Sequence, residues 1–398
     1  MAQHMKNSAS STIVIIGGGI IGSSVAYALT KADSGVDVVV VEPDPSYEWA
    51  ATPRATGTIR RAFTLPEKIQ MSCYANEIYS DFSALTSIDG EEVVDVEFNK
   101  GGFLYMVWGK AGVANMECVH RQVAPYYPEI ILLDPDEIST RYPSIRTDDI
   151  DVGLFAPDDG WIDSASALQG YKKKAQSQGA VYIKDRVVDV VTFGNLATGV
   201  QLQSGTTLHA EFVINCANCW SAEVAEMIGM KLPIQPLRRM TYFIDVQTEL
   251  EPLPLTRDAN GISVRPEGSG YIVGVTNHDE SYGFNWTLDY DRFDEKVWPA
   301  IATRIPAFEA VKMRSCWSGH YDMNTLDDTA IVGPWTGRIE NFYVAAGFSG
   351  HGLQQAPAIG RAIKELLLDG GYQTIDLSRL GYQRVIENRP LHDYGPRS

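Results

Sequence analysis

Gly17-Gly18-Gly19-Ile20-Ile21-Gly22 puts glycine at the first, third and sixth places of one short turn, and Glu42 follows 20 residues after Gly22. Residues of those types at that spacing suit a bound dinucleotide. Gly17 permits the tight turn, Gly19 lets the backbone approach a pyrophosphate, and Gly22 lets a helix pack closely on a strand. The Glu42 carboxylate accepts hydrogen bonds from a ribose diol and disfavours the 2′-phosphate of NADP. Far along the chain a second turn, Gly347-Phe348-Ser349-Gly350-His351-Gly352, is again rich in glycine. A helix opened by such a turn offers N–H groups and a positive dipole end to developing negative charge.

Each turn needs a strand before it and a helix after it. Residues 11–16 and 36–41 read as short, buried, β-branched strands, with a helix over 23–29 between them. Around the second turn, residues 341–346 read as a strand and 356–368 as a helix. The first unit alone reads only the ADP half shared by FAD and NAD. The second favours FAD, because the N1–C2=O edge of a flavin gains negative charge on reduction. The two turns are therefore expected to hold opposite ends of one long cofactor. Between them, residues 65–85, 166–179, 220–229 and 291–304 read as helical, 101–108 and 212–215 as strands, and 181–208 as a hairpin. From 233 to 275 the pattern alternates as in an antiparallel sheet. No repeat or linker is legible, which predicts interleaved domains.

The 398 residues are 44% hydrophobic and 21% charged, enough for two domains. A formal charge of -17 argues against sequence-independent nucleic-acid binding. No apolar run is long enough to span a bilayer. The N-terminal residues lack the basic flank and apolar core of a signal peptide, and those before Met5 are set aside from fold reasoning. A cytoplasmic location is the default expectation. The five cysteines, Cys73, Cys118, Cys216, Cys219 and Cys316, fit reduced thiols. The Cys216-x-x-Cys219 pair has no second pair or histidine at ligand spacing, so no metal is expected and inert buried thiols are.

These motifs fall in one order with the segments at 55–63 (ATGTIRRAF), 213–221 and 325–334. Together, over nearly the whole chain, they resemble the D-amino-acid oxidase-like FAD-dependent amine oxidoreductases, the family of monomeric sarcosine oxidase and glycine oxidase. Segments 63–70, 298–308, 319–325 and 372–377 are similar to the branch containing the mitochondrial FAD-dependent protein of respiratory complex I assembly. The resemblance implies an α/β fold, α+β overall. A Rossmann-like FAD-binding domain (10–48, 160–232 and 318–385) would be interleaved with an antiparallel-sheet substrate domain (49–159 and 233–317). It further implies FAD contacts at Gly17, Gly19, Ile20, Ile21, Gly22, Glu42, Thr56, Gly57, Thr58, Val188, Cys216, Ala217, Trp220 and Gly319. Gly347, Phe348, Ser349, Gly350, His351, Gly352 and Leu353 complete that set.

The chemistry so implied is hydride transfer from the α-carbon of a secondary amine or amino acid, such as an N-substituted glycine, to flavin N5. The resulting imine hydrolyses. Arg60 is the first candidate to hold a carboxylate, with Arg54, Arg238 and Arg265 weaker ones. His320 is expected to accept a proton from the ammonium, and Tyr321 to orient the substrate. Tyr242 and Gln354 are expected to line the substrate site. The chain departs from sarcosine oxidase at Gln354, where that enzyme has lysine, at Gly57, where it has arginine, and at Asn218, where glycine is usual. The covalent thiol of sarcosine oxidase aligns near Gly319 or His320 rather than with Cys316, so non-covalent FAD is expected. Oxygen or an electron-transfer partner would accept the electrons. The rival reading is a flavoprotein that binds or assembles a partner.

Overall fold

The computed structural model describes residues 11–32 and 35–396; the reading of the first ten residues, including the boundary at residue 10, lies outside the described residues. Six strands form one sheet in the order Ile331–Trp335, Ile339–Ala346, Phe212–Asn215, Thr12–Ile16, Asp37–Glu42 and Val181–Lys184. All neighbours are parallel except Ile331–Trp335 against Ile339–Ala346. Covered on both faces, these strands are apolar at successive positions rather than alternate ones. Ile13 and Ile15 point to a layer containing the helices Ile20–Lys31, Ser164–Ser177 and Gly352–Lys364. Val14 and Ile16 point to the opposite layer, where the small sheet of Val187–Phe193, Leu196–Leu202 and Thr207–His209 joins the short helix Ser221–Glu226.

The helix Pro66–Ser80 also packs on the first layer, through Met71, Ala75 and Tyr79. The expected boundaries place it in the substrate domain (49–159). Met71, Ala75 and Tyr79 instead share a cluster with Gly352–Lys364, and the Tyr79 hydroxyl donates to the Leu353 carbonyl at 2.7 Å. The second domain is built on eight strands, from Val311–Asn324 at one edge through Ile234–Val246, Gly270–Val275, Ile262–Glu267, Leu255–Asp258, Phe103–Val107 and Val152–Ala156 to Ile131–Leu133. The expectation of an antiparallel sheet needs one correction: Leu255–Asp258 and Phe103–Val107 run parallel. Val311–Asn324 is one continuous strand, so the boundary expected at 318 falls inside it.

Alternation along this sheet sets the site. Tyr242, Val264 and Val273 face a buried apolar cluster. Their chain neighbours Thr241, Ser263 and Gly274, with Arg257 paired to Ser263 across the sheet, occupy the opposite face, toward the first domain.

Candidate active site

Two adjoining cavities lie between the domains. The larger, about 480 Å³, is lined by Gly17, Gly19, Glu42, Val187, Cys216, Ala217 and Trp220. The smaller, about 110 Å³, is lined by Thr56, Gly57, Thr58, Arg60, Gly319, His320, Tyr321 and Gly350 through Gln354. They share Ile20, Ile21, Ala51, Thr52 and Asn218, so a long ligand can run from the first glycine turn to the second.

The first turn has the steric features the sequence implies. Gly17 has φ +97°, and a Cβ there would lie 2.6 Å from the Cys216 carbonyl oxygen. A Cβ on Gly22 would overlap the Gly17 carbonyl oxygen; Gly22 thus packs behind the turn. At Gly19 the nearest atom to an added Cβ is Thr52 Oγ1 at 3.9 Å, so this side is open. Glu42 accepts the N–H groups of Gly18 at 2.8 Å and Asp44 at 2.9 Å, one on each oxygen. Burial raises its pKa, opposed by those two amides. A carboxylate held this way keeps further lone pairs for a ribose diol.

The second turn divides its work. Gly350 has φ +91°, and any side chain there would run into the Tyr321 ring. From Gly350 onward the chain lines the smaller cavity and opens the helix Gly352–Lys364. Gly347, Phe348 and Ser349, expected at the flavin, line neither cavity. The amides of Gly347 and Phe348 donate to Asp322 Oδ2 at 2.7 and 3.1 Å, and that of Ser349 to the Asp322 carbonyl at 3.2 Å. Asp322, unremarked in the sequence, is this turn's own internal anion.

Three further expectations are corrected by one or two residues of strand phase or by pairing. Val188 is exposed on Val187–Phe193, and its neighbour Val187 lines the larger cavity. Tyr242 lies in the core beneath the sheet and donates its hydroxyl to the Asp289 carbonyl at 2.6 Å. Arg265 pairs with Glu267 beside the Trp161 ring and lines neither cavity. Of the weaker arginine candidates, Arg238 forms a 2.9 Å ion pair with Glu280, whereas Arg54 lines the smaller cavity and donates to the Ser318 carbonyl at 2.7 Å. The arginines that do line it besides Arg60 and Arg54 are Arg239 and Arg257. Cys316 packs against the apolar cluster under the sheet. Burial pushes the Cys216 and Cys219 thiols up, which keeps them protonated.

Arg60 is 2% exposed, and its guanidinium donates to the Ala62 carbonyl at 2.8 Å and to His351 Nε2 at 3.1 Å. Its own N–H donates to Gln354 Oε1 at 3.2 Å. Burial, with repulsion from Arg257, lowers its pKa to about 10, so it stays charged at neutral pH. The same surroundings hold His351 neutral. Gln354 Nε2 has no hydrogen-bond partner among the described residues, which leaves that donor for a ligand.

His320 does not suit the proton-accepting role expected of it. Its Nε2 accepts the Asn285 N–H at 3.0 Å, and its ring is enclosed by Trp286 and Phe284 at 4.1 and 5.4 Å between centroids. The neutral ring therefore carries its hydrogen on Nδ1 and has no free lone pair. Burial pushes it down to about 4 and pushes Asp322 up to about 6. These two groups act on stability with opposite sign. Between about pH 4 and 6.5 His320 is neutral folded and protonated unfolded, so its contribution is lost as pH falls. Between about pH 3.8 and 6 Asp322 is protonated folded and ionised unfolded, so its contribution is lost as pH rises. His320→Gln should therefore gain about 2 kcal/mol relative to wild type between pH 7 and 4.5. Asp322→Asn should lose stability relative to wild type over the same range. Urea unfolding at both pH values reads this; parallel pH responses of all three proteins would refute the assignment.

A βαβ glycine turn on a mixed sheet, a cleft toward a second sheet and a second helix N-terminus at its far end define a flavoprotein of the oxidoreductase class. Residues 12–366 match the FAD dependent oxidoreductases (DAO), and the chain belongs to that family. It is 34% identical over 412 residues to FAD-dependent oxidoreductase domain-containing protein 1 of Bos taurus, covering 94% of this chain and 84% of that protein. It is 25% identical to the mitochondrial dimethylglycine dehydrogenase of Homo sapiens, across 90% of this chain and 42% of that longer protein. Its fold is shared with L-proline dehydrogenase from P. horikoshii at a TM-score of 0.86 and 23% identity, covering 97% of this chain and 100% of that one. FAD is the cofactor, and the continuous cleft with its glycine cradle and Glu42 fits it. Among the described residues no group of side chains suits a metal ion, and no helix is long and apolar enough to cross a membrane.

Proposed function

We propose that the protein oxidises a secondary amine or amino acid that bears a carboxylate, of the N-substituted glycine type. One observation carries this reading: buried arginines and the donor of Gln354 converge on the cavity at the second glycine turn, where Tyr321 forms the wall. When bound, FAD supplies the acceptor for a hydride from the amine's α-carbon, which gives an imine that water hydrolyses. Arg60 and Gln354 hold the carboxylate and so orient the α-carbon. The Tyr321 ring, braced by Gly350, closes the side of the cavity. The N-terminus of Gly352–Lys364 stabilises negative charge that develops beside it. The activities named for dimethylglycine dehydrogenase and L-proline dehydrogenase, both on carboxylate-bearing amines, support the same class.

The test is the visible spectrum of the anaerobic holoprotein during titration with sarcosine, iminodiacetate, proline and common D- and L-amino acids. Bleaching of the flavin by at least one is the expected result; a spectrum that none of them bleaches overturns the reading. Reoxidation by oxygen or by an electron-transfer protein then identifies the acceptor. A second reading, a flavoprotein that binds a partner, is favoured by the exposed aromatic residues Trp49, Tyr282, Phe284 and Tyr290. Trp49, with the partly buried Trp286 against it, also lines the larger cavity. An unbleached flavin would shift the weight to that surface.

A further inference from the structure

Both terminal nitrogens of Arg60 are tied to the protein, one to the Ala62 carbonyl and one to His351, and each keeps a second hydrogen for a ligand. The guanidinium also lies over the Phe63 ring at 4.3 Å, and the His351 ring meets Phe63 edge-on at 5.2 Å. Where the arginine points is therefore set by the turn 62–64. That turn is held by a segment distant in sequence. Asp393 Oδ1 accepts the Thr64 N–H and the Thr64 hydroxyl, each at 2.9 Å, across 329 residues of chain. The Tyr394 N–H donates to the same Thr64 hydroxyl oxygen at 2.8 Å. Asp393 Oδ2 lies 3.2 Å from Nζ of Lys68, which is buried on the helix Pro66–Ser80. Gly395 packs on the turn itself: a Cβ there would lie 2.6 Å from the Ala62 carbonyl oxygen and 3.0 Å from Phe63 Cα.

The segment is fastened on both sides of Asp393. Before it, the Leu391 N–H donates to Asp327 Oδ2 at 2.9 Å, and Asp327 is ion-paired with Arg384 at 3.0 Å. After it, the Tyr394 carbonyl accepts from Asn115 Nδ2 at 3.0 Å. Burial opposes the charge of Asp393, but Lys68 and the Thr64 and Gly395 amides outweigh it and hold the carboxylate well below its usual range. That charge also acts on Arg60. Burial and Arg257 work against the guanidinium charge, whereas Asp393 and Asp159 favour it. Asp393 lines neither cavity, so it acts on the site only through the turn and through this field.

We infer that Asp393, with Gly395 behind it, is a positioning residue for the carboxylate-binding Arg60. The segment 391–395 fixes the Ala62 carbonyl and the Phe63 ring against which the guanidinium is held. This rests on the amine-oxidation reading above and deepens it. A shift of the turn moves the guanidinium fork off the carboxylate, while the first glycine turn at the other end of the cleft keeps its geometry.

The experiment uses the holoprotein under anaerobic conditions, titrated with the amines named above and with propionate, an unreactive carboxylate. The shift of the flavin spectrum gives Kd, and the bleaching rate at saturation is read separately. Asp393→Ala should raise the Kd of every carboxylate that binds by about tenfold. The Kd of FAD and the saturating bleaching rate should stay within about twofold of wild type. Gly395→Ala leaves every charge in place yet presses on the Ala62 carbonyl, and should weaken the carboxylates in the same way. Asp393→Asn keeps an acceptor for Thr64; it should raise the Kd about threefold and serves if the alanine variant does not fold. Unchanged carboxylate affinity in Asp393→Ala, or a rise matched by that of FAD, overturns the positioning role while bleaching of wild type leaves amine oxidation standing. A propionate shift that Asp393→Ala weakens, without bleaching by any amine, supports the positioning role and overturns the oxidation reading. No response of wild type to any carboxylate overturns both.

Discussion

Gly22→Val yields a protein that purifies without bound flavin and does not regain the flavin spectrum when FAD is added. The added Cβ would overlap the carbonyl oxygen of Gly17 and press on Ile15 Cγ2 at 3.2 Å. Neither neighbour can yield cheaply, since Gly17 is itself held in a left-handed conformation against the Cys216 carbonyl. The helix Ile20–Lys31 must then lift from the strand Thr12–Ile16, and the turn loses the geometry that presents its N–H groups to phosphate. Overpacking of this kind costs about 1–3 kcal/mol in stability, and the FAD dissociation constant should rise at least about 100-fold. Gly19→Ala provides the contrast. Its side chain has room in the folded protein but enters the open side of the turn, so it should weaken FAD binding with little change in the stability of the apoprotein. Retention of FAD at wild-type affinity by Gly22→Val would show that the cofactor does not depend on this turn.

Asp322→Ala is the second change with a large expected effect, and it acts at the other end of the cleft. Removing the carboxylate leaves the Gly347 and Phe348 amides buried without their acceptor. The cost should be about 3–5 kcal/mol, read by urea unfolding at pH 7. Because the same turn carries Gly350 and starts Gly352–Lys364, flavin that still binds should show a perturbed spectrum. Asp322→Asn keeps one acceptor and should cost about 1–2 kcal/mol. A loss under about 0.5 kcal/mol for the alanine variant would mean that the turn is held by its other contacts, such as Ser349 Oγ accepting the Asn324 N–H at 3.0 Å.

What could be read from sequence was local. The first glycine turn, its strands and Glu42 occupy one continuous stretch, and strand, turn and helix are each specified by neighbours a few residues away. The second turn was legible for the same reason, although the helix expected over 356–368 begins earlier, at Gly352. The family resemblance rested on the order of such segments, and the match over residues 12–366 supports it. The arginines show where local information ends. Nothing around Arg257 marks it, because its position depends on a parallel pairing of Leu255–Asp258 with Phe103–Val107, about 150 residues earlier in the chain. Arg265 is a candidate by sequence and Arg239 is not, yet Arg239 meets the cavity and Arg265 pairs with Glu267.

The phase of a strand is equally nonlocal. Thr241 rather than Tyr242, and Val187 rather than Val188, reach the cavities because packing against the rest of the sheet decides which set of alternate residues faces inward. Asp322 belongs to the same class, since its two amide partners lie 25 and 26 residues away in the chain. The chain's own residues thus determine a dinucleotide turn and a second helix N-terminus through short-range sterics and hydrogen bonding. Which charges surround the reacting end is decided only when distant strands pair, because side-chain direction in a sheet follows from register and register follows from the whole core.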